Sequence, residues 1–114
     1  RIITESFFKA RNFYSGYLVN FKFQEQQSQK PSHTFSSDME FGMSNSEIKV
    51  LQDCLRWTGD FPMNAESTGY FGSITRTAVQ KFQAKRGVAI AGDAGYGRVG
   101  PKTRWELNGI FSTP

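Results

Sequence analysis

Residues 69–83 read GYFGSITRTAVQKFQ, a tight turn running into a helix. Gly69 and Gly72 permit backbone angles that a side chain resists. Ile74, Ala78 and Phe82 then recur at four-residue spacing with Val79 beside them, which predicts one apolar helix face. Lys81, Lys85 and Arg86 fall in the last turn, where positive charge suits the helix dipole, and Gly87 follows as a C-terminal stop.

The same unit returns twenty-eight residues on, at residues 97–108, GRVGPKTRWELN. Gly69 pairs with Gly97, Phe71 with Val99, Gly72 with Gly100, Thr75 with Thr103, Arg76 with Arg104 and Val79 with Leu107. A matched pair of turn-plus-helix units predicts a duplicated motif. In each, the second Gly stands at the N-cap. Both Gly72 and Gly100 are therefore expected to resist replacement by Val. Pro101 suits the first helical position, where a missing N–H costs nothing. Thr75 and Thr103 are placed to return a hydroxyl toward an unsatisfied amide at the helix start. Phe71 and Val99 should point into the core. Tyr70 and Arg98, one step before them, should point outward.

A first helix is expected upstream. Ser44-Asn45-Ser46-Glu47 reads as a capping box, with Glu47 returning to the Ser44 amide. Ile48, Leu51 and Leu55 form its apolar stripe, Cys54 sits beside them as a small core residue, and Gly59 ends it. The expected helices span about 45–58, 73–86 and 101–109. The order L-Q-x-x-L, then G-Y-F-G-x-x-T-x-x-A-V-x-x-F-Q, then G-x-V-G-P-x-T-R-x-x-L-N resembles the peptidoglycan-binding domain 1 family over residues 40–111. The resemblance implies a mainly α fold, a three-helix bundle with two pseudo-symmetric turn-helix units. It also implies attachment to cell-wall enzymes. Domains of this shape also serve as accessory modules or pro-segments.

The flanking chain reads differently. In residues 1–23, a short helix from Thr4 to Asn12 is followed by a turn at 14–16. Tyr17, Val19, Phe21 and Phe23 then alternate like a half-buried strand. This N-terminal β/irregular segment is expected to be the end of a preceding domain. Residues 24–37 have the polar composition of a linker, with His33 solvated in it, and residues 38–114 form the helical domain. The chain lacks an initiator Met, a signal peptide and a membrane-spanning apolar run, and is expected to be a fragment of a longer or processed protein.

Composition bounds the function. Hydrophobic residues make up 38 % of the 114, enough for one small core, and eleven Phe should make that core aromatic. The net charge is +4, and residues 46–114 carry nine basic against six acidic side chains. An anionic wall polymer suits this mild excess. Nucleic acid does not: there is no lysine-rich run, zinc-finger spacing or aromatic RNA-binding segment. One Cys and one His, far apart, make neither a metal site nor a nucleophile–base pair. No cofactor and no catalytic residue is expected. The expected role is a non-catalytic peptidoglycan-binding module, extracellular or in the cell envelope, that targets an attached domain, a wall hydrolase, to its substrate. The alternative is a protein–protein or intramolecular docking module of the same fold. An inhibitory pro-segment that caps zinc with a loop cysteine is disfavoured, since Cys54 is predicted in a helix. Glycan and stem peptide are expected to bind a shallow groove formed by Tyr70, Tyr96 and Arg98, with Arg76 contributing. Arg76 and Arg104 carry cations in the first turn of a helix, where the dipole gives them nothing.

Overall fold

The computed structural model describes residues 30–112. The expected helix and strand within residues 1–23 lie outside the described residues. Among the described residues three helices carry the fold, α1 Ser46–Trp57, α2 Ser73–Lys85 and α3 Pro101–Phe111. The described chain is mainly α, and the helices fall within one residue of the expected bounds except at the end of α3, which continues two residues further, through Phe111.

One core joins them. Ile48, Leu51, Cys54 and Leu55 from α1 meet Ala78, Val79 and Phe82 from α2 and Leu107 and Phe111 from α3. Phe71 and Val99 point into it from the turns, each with no exposed surface. Five of the six described phenylalanines are buried. Cys54 is fully enclosed, and burial, with the Asp53 carboxylate adding to it, pushes its thiol up to about 12. The thiolate needed for reaction is therefore scarce at neutral pH.

The buried face of α2 is Thr75, Ala78, Val79, Phe82 and Gln83. Its phase differs by one residue at the start from the expected stripe, leaving Ile74 53 % exposed. At α1 the cap also shifts by one. Asn45, not Ser44, is the N-cap, and its side chain accepts from the Ile48 N–H at 2.9 Å. Glu47 does not close a capping box. Its carboxylate instead accepts from the Ser37 hydroxyl at 2.6 Å and meets His33 Nε2 at 2.9 Å.

That contact belongs to a leading strap that the polar composition disguised as linker. Phe35 is 1 % exposed and sits in the core. Its N–H donates to Asn108 Oδ1 at 2.7 Å, and Asn108 Nδ2 donates back to its carbonyl at 3.0 Å. The His33 N–H donates to the Phe111 carbonyl, and its ring stands edge-on to Phe35 at 4.6 Å. His33 is thus a partnered residue, and residues 33–37 pack on the helical body.

The strap then passes both turns in one sweep. Met39 pairs with Val99 and Ser44 with Tyr70 as isolated antiparallel bridges. The two first-turn cations fasten it. The Arg76 guanidinium lies over the Phe41 ring at 4.6 Å. Arg104 reaches Asp38 Oδ1 at 3.0 Å through both Nε and Nη2. Equivalent residues of the two units therefore grip neighbouring points of one segment, which accounts for cations placed against the dipole.

Candidate functional site

The two turns are built alike, and each is held from inside by a buried glutamine on the preceding helix. Gln52, 1 % exposed, accepts from the Gly69 N–H at 2.9 Å and donates to the Tyr70 carbonyl and Thr75 Oγ1, both at 2.9 Å. Gln83, with no exposed surface, accepts from the Gly97 N–H at 2.8 Å. Its Nε2 donates among the Arg98 carbonyl at 2.8 Å, the Gly95 carbonyl at 3.0 Å and Thr103 Oγ1 at 3.0 Å. A primary amide has two donor hydrogens and an oxygen acceptor, so one side chain can close a turn from both sides. Thr75 and Thr103 serve as acceptors in this clamp; the expected bond from their hydroxyls to a helix-start amide is not formed among the described residues.

Gly69 and Gly97 supply the backbone the clamp requires. Their φ angles are +88° and +89°, a region that L side chains rarely occupy. A Cβ on Gly69 would lie 3.1 Å from the Asn45 carbonyl oxygen, and one on Gly97 would lie 3.1 Å from Arg76 Cγ. The N-cap glycines differ from expectation. Gly72 and Gly100 have ordinary extended φ values of −103° and −104°. A Cβ on Gly72 would meet the edge of the Tyr70 ring, whereas one on Gly100 would meet nothing within 4 Å. A β-carbon at Gly100 thus meets no obstacle, and the position with the stricter backbone in each unit is the first glycine.

Outside each clamp lies an open hollow at the start of a helix. The first, about 440 Å³, is lined by Tyr70, Ile74, Phe61, Ala65 and Glu66 around Gln52, Gly72 and Thr75. The second, about 310 Å³, is lined by Arg98, Lys102, Pro101 and Asp93 around Gln83, Gly100 and Thr103. Tyr70 is 48 % exposed, and the Arg98 side chain is 45 % exposed, both outward as expected. They line separate hollows. Arg76 lies against Phe41, and Tyr96 is half-buried with its N–H donating to the Asp93 carbonyl; neither lines either hollow. Arg98 also faces the strap, with Nε 3.5 Å from Glu40 Oε1 and Nη2 3.9 Å from Asp38 Oδ2. Among the described residues no cluster of three His, Cys, Asp or Glu could hold a metal ion, and no helix is long and apolar enough to cross a membrane.

A duplicated turn-helix frame with open hollows on its surface and a strap along one side defines a small helical module. The family described as "Putative peptidoglycan binding domain" matches residues 44–107, more than half of the chain, and the chain belongs to that family. Comparison with curated proteins and with solved structures finds no match. The structural body is wider than the matched stretch, since Phe35, Met39 and Phe111 of the core fall outside it.

Proposed function

We propose that this chain is a non-catalytic module that binds peptidoglycan in the cell envelope and holds an attached wall hydrolase at its polymeric substrate. The family match over residues 44–107 carries the reading. The exposed surface at the two turns supports it: an aromatic ring suits the flat apolar faces of sugars, and guanidinium suits the carboxylates of stem peptides. Tyr70 and Arg98 are the residues proposed to contact glycan and stem peptide at the hollows, and Tyr96 and Arg76, which line neither hollow, are proposed as further contacts outside them. One small open site binds weakly, at roughly −8 kcal/mol or less, and that suffices for a tether. Once the module is bound, the attached domain meets its substrate at the effective concentration set by their connection.

Sedimentation with purified sacculi tests this. The chain should pellet with sacculi, and Tyr70→Ala combined with Arg98→Ala should reduce retention while the melting temperature moves little. Unchanged retention with an intact fold removes these residues from the contact surface. No retention of the parent chain removes the wall-binding reading. A docking module is the second reading, favoured by Trp105, which is 77 % exposed on α3. In that case the parent chain would not sediment with sacculi.

A further inference from the structure

The two hollows share a frame and differ in chemistry. Gln52, Gly72 and Thr75 line the first where Gln83, Gly100 and Thr103 line the second. At the remaining matched positions the side chains have changed kind. Tyr70 is replaced by Arg98, Ser73 by Pro101 and Ile74 by Lys102. An aromatic and an aliphatic residue in one unit thus become two cations in the other.

The sign of the local charge follows. The first hollow is lined by one ionisable carboxyl, Glu66, and by no cation. The second is lined by two cations against one carboxyl, Asp93, whose Oδ2 is already engaged by the Ile90 N–H at 2.9 Å. Arg98 is only loosely held by the strap. Its distances of 3.5 and 3.9 Å to Glu40 and Asp38 are longer than the 2.7–2.9 Å of a charge-assisted hydrogen bond. Lys102 is exposed and forms no ion pair among the described residues. Both cations therefore keep donors for an incoming anion. In the first hollow Tyr70 and Ile74 are 48 % and 53 % exposed, and an exposed aromatic-aliphatic pair beside a lone carboxyl favours a neutral group over an anion.

We propose that the duplicated unit has diverged into two subsites: the Arg98–Lys102 hollow takes a carboxylate, and the Tyr70–Ile74 hollow takes an uncharged group with an apolar face, such as a pyranose ring. This deepens the peptidoglycan reading and rests on it for the identity of the polymer, whereas the difference between the hollows rests on their linings alone.

The test uses the full chain, labelled with 15N, and three small probes in separate titrations: N-acetyl-alanyl-alanine, its C-terminal amide, and an uncharged N-acetylglucosamine oligosaccharide. The free acid should shift the amide signals of residues 98–103 and leave residues 70–75 in place, and the amide should not reproduce this. Arg98→Gln with Lys102→Gln should weaken the acid's binding roughly fivefold, the scale of two exposed ion pairs. Raising salt from about 0.05 to about 0.5 M should weaken it likewise. The oligosaccharide should shift residues 70–75 and be insensitive to both changes. Tyr70→Arg with Ile74→Lys should bring the acid to the first hollow, a gain that loss of folding cannot imitate. The proposal is overturned if acid and amide act alike at residues 98–103, if acid and sugar perturb the same turn, or if no probe moves either turn. Sacculus sedimentation of the same protein separates the two levels. Sedimentation without probe discrimination rejects the subsites alone, and discrimination without sedimentation rejects the wall reading alone.

Discussion

Replacing Gln83 with Met keeps the length and nearly the volume of the side chain while deleting its amide. The Gly97 N–H, now 2.8 Å from Gln83 Oε1, would lose its acceptor. The Gly95 and Arg98 carbonyls and the Thr103 hydroxyl would lose their donor. An orphaned buried polar group costs ~1–3 kcal/mol. Gly97 is buried, so its N–H bears most of this cost. The carbonyls border the open hollow and recover part of their hydration. The total should be about 2–3 kcal/mol, and for a domain under 100 residues that lowers Tm by roughly 8–24 °C. Gln52→Met should behave similarly, since it orphans the Gly69 N–H in the equivalent turn. Thr103→Val is the internal control. It removes one acceptor, while Gln83 Nε2 retains the Gly95 and Arg98 carbonyls, so the loss should stay under ~1 kcal/mol. Thermal melts followed by far-ultraviolet circular dichroism measure all three. If Gln83→Met melts within two or so degrees of the parent, or no lower than Thr103→Val, the clamp does not hold the turn.

Gly97→Ala should lower stability by about 1–2 kcal/mol for its positive φ, and further for the crowding against Arg76 and Gln80, whereas Gly100→Ala should cost under ~1 kcal/mol; equal melting temperatures would show that the two glycines have been assigned the wrong way round. Phe35→Ala should cost about 3–5 kcal/mol in a denaturant titration, and a fragment beginning at residue 38 should be weakened comparably, unless Phe35 contributes nothing to the core. Burial raises the Glu47 carboxyl, but the bonds from Ser37, His33 and the Ser36 N–H outweigh that and leave it below its ordinary value of 4.5. A carboxyl lowered by folding stabilises the folded state above that value and loses the contribution as pH falls below it. Glu47→Gln should therefore be less stable than the parent in urea at pH 7, with the gap closing below pH 4.5; a gap that persists to pH 2 would mean the carboxylate charge is not what the strap uses.

The helices and their stops were legible because they are local. Periodic apolar residues, Pro101 at a helix start and Gly59 and Gly87 at helix ends act over a few positions. The inward Phe71 and Val99 and the outward Tyr70 and Arg98 followed from the same short range. The glutamine clamps did not show. A Gln inside an apolar stripe reads as an interruption, and the groups it satisfies lie 12 to 23 residues further along the chain. The signal was nonetheless present: Leu51-Gln52 and Phe82-Gln83 each place an amide on the core face ahead of a Gly-x-apolar-Gly turn. Phe35 was hidden for a related reason. Its neighbours are polar, and the partner that seats its backbone, Asn108, is 73 residues away. The cap register failed by one residue because Ser44 and Asn45 are both good N-caps, and the strap, absent from any local pattern, takes the Glu47 that would have chosen between them.

Holding a turn from its buried side has a consequence for what its exposed side can become. In each unit the backbone is set by a glutamine, a threonine hydroxyl and a glycine at positive φ, all of which face inward or have no side chain. The outward residues at the matched positions, Tyr70 and Arg98, Ile74 and Lys102, take no part in those bonds through their side chains. Surface changes away from buried partners generally alter stability by only a few tenths of a kcal/mol. A duplicated unit built this way can exchange an aromatic for a guanidinium, or an aliphatic for an ammonium, while its turn stays closed. Had the turns been held by their exposed side chains, every change of ligand chemistry would also have been a change of fold stability. The inside clamp uncouples the two, and that uncoupling is the physical condition under which one repeated frame can present two unlike hollows.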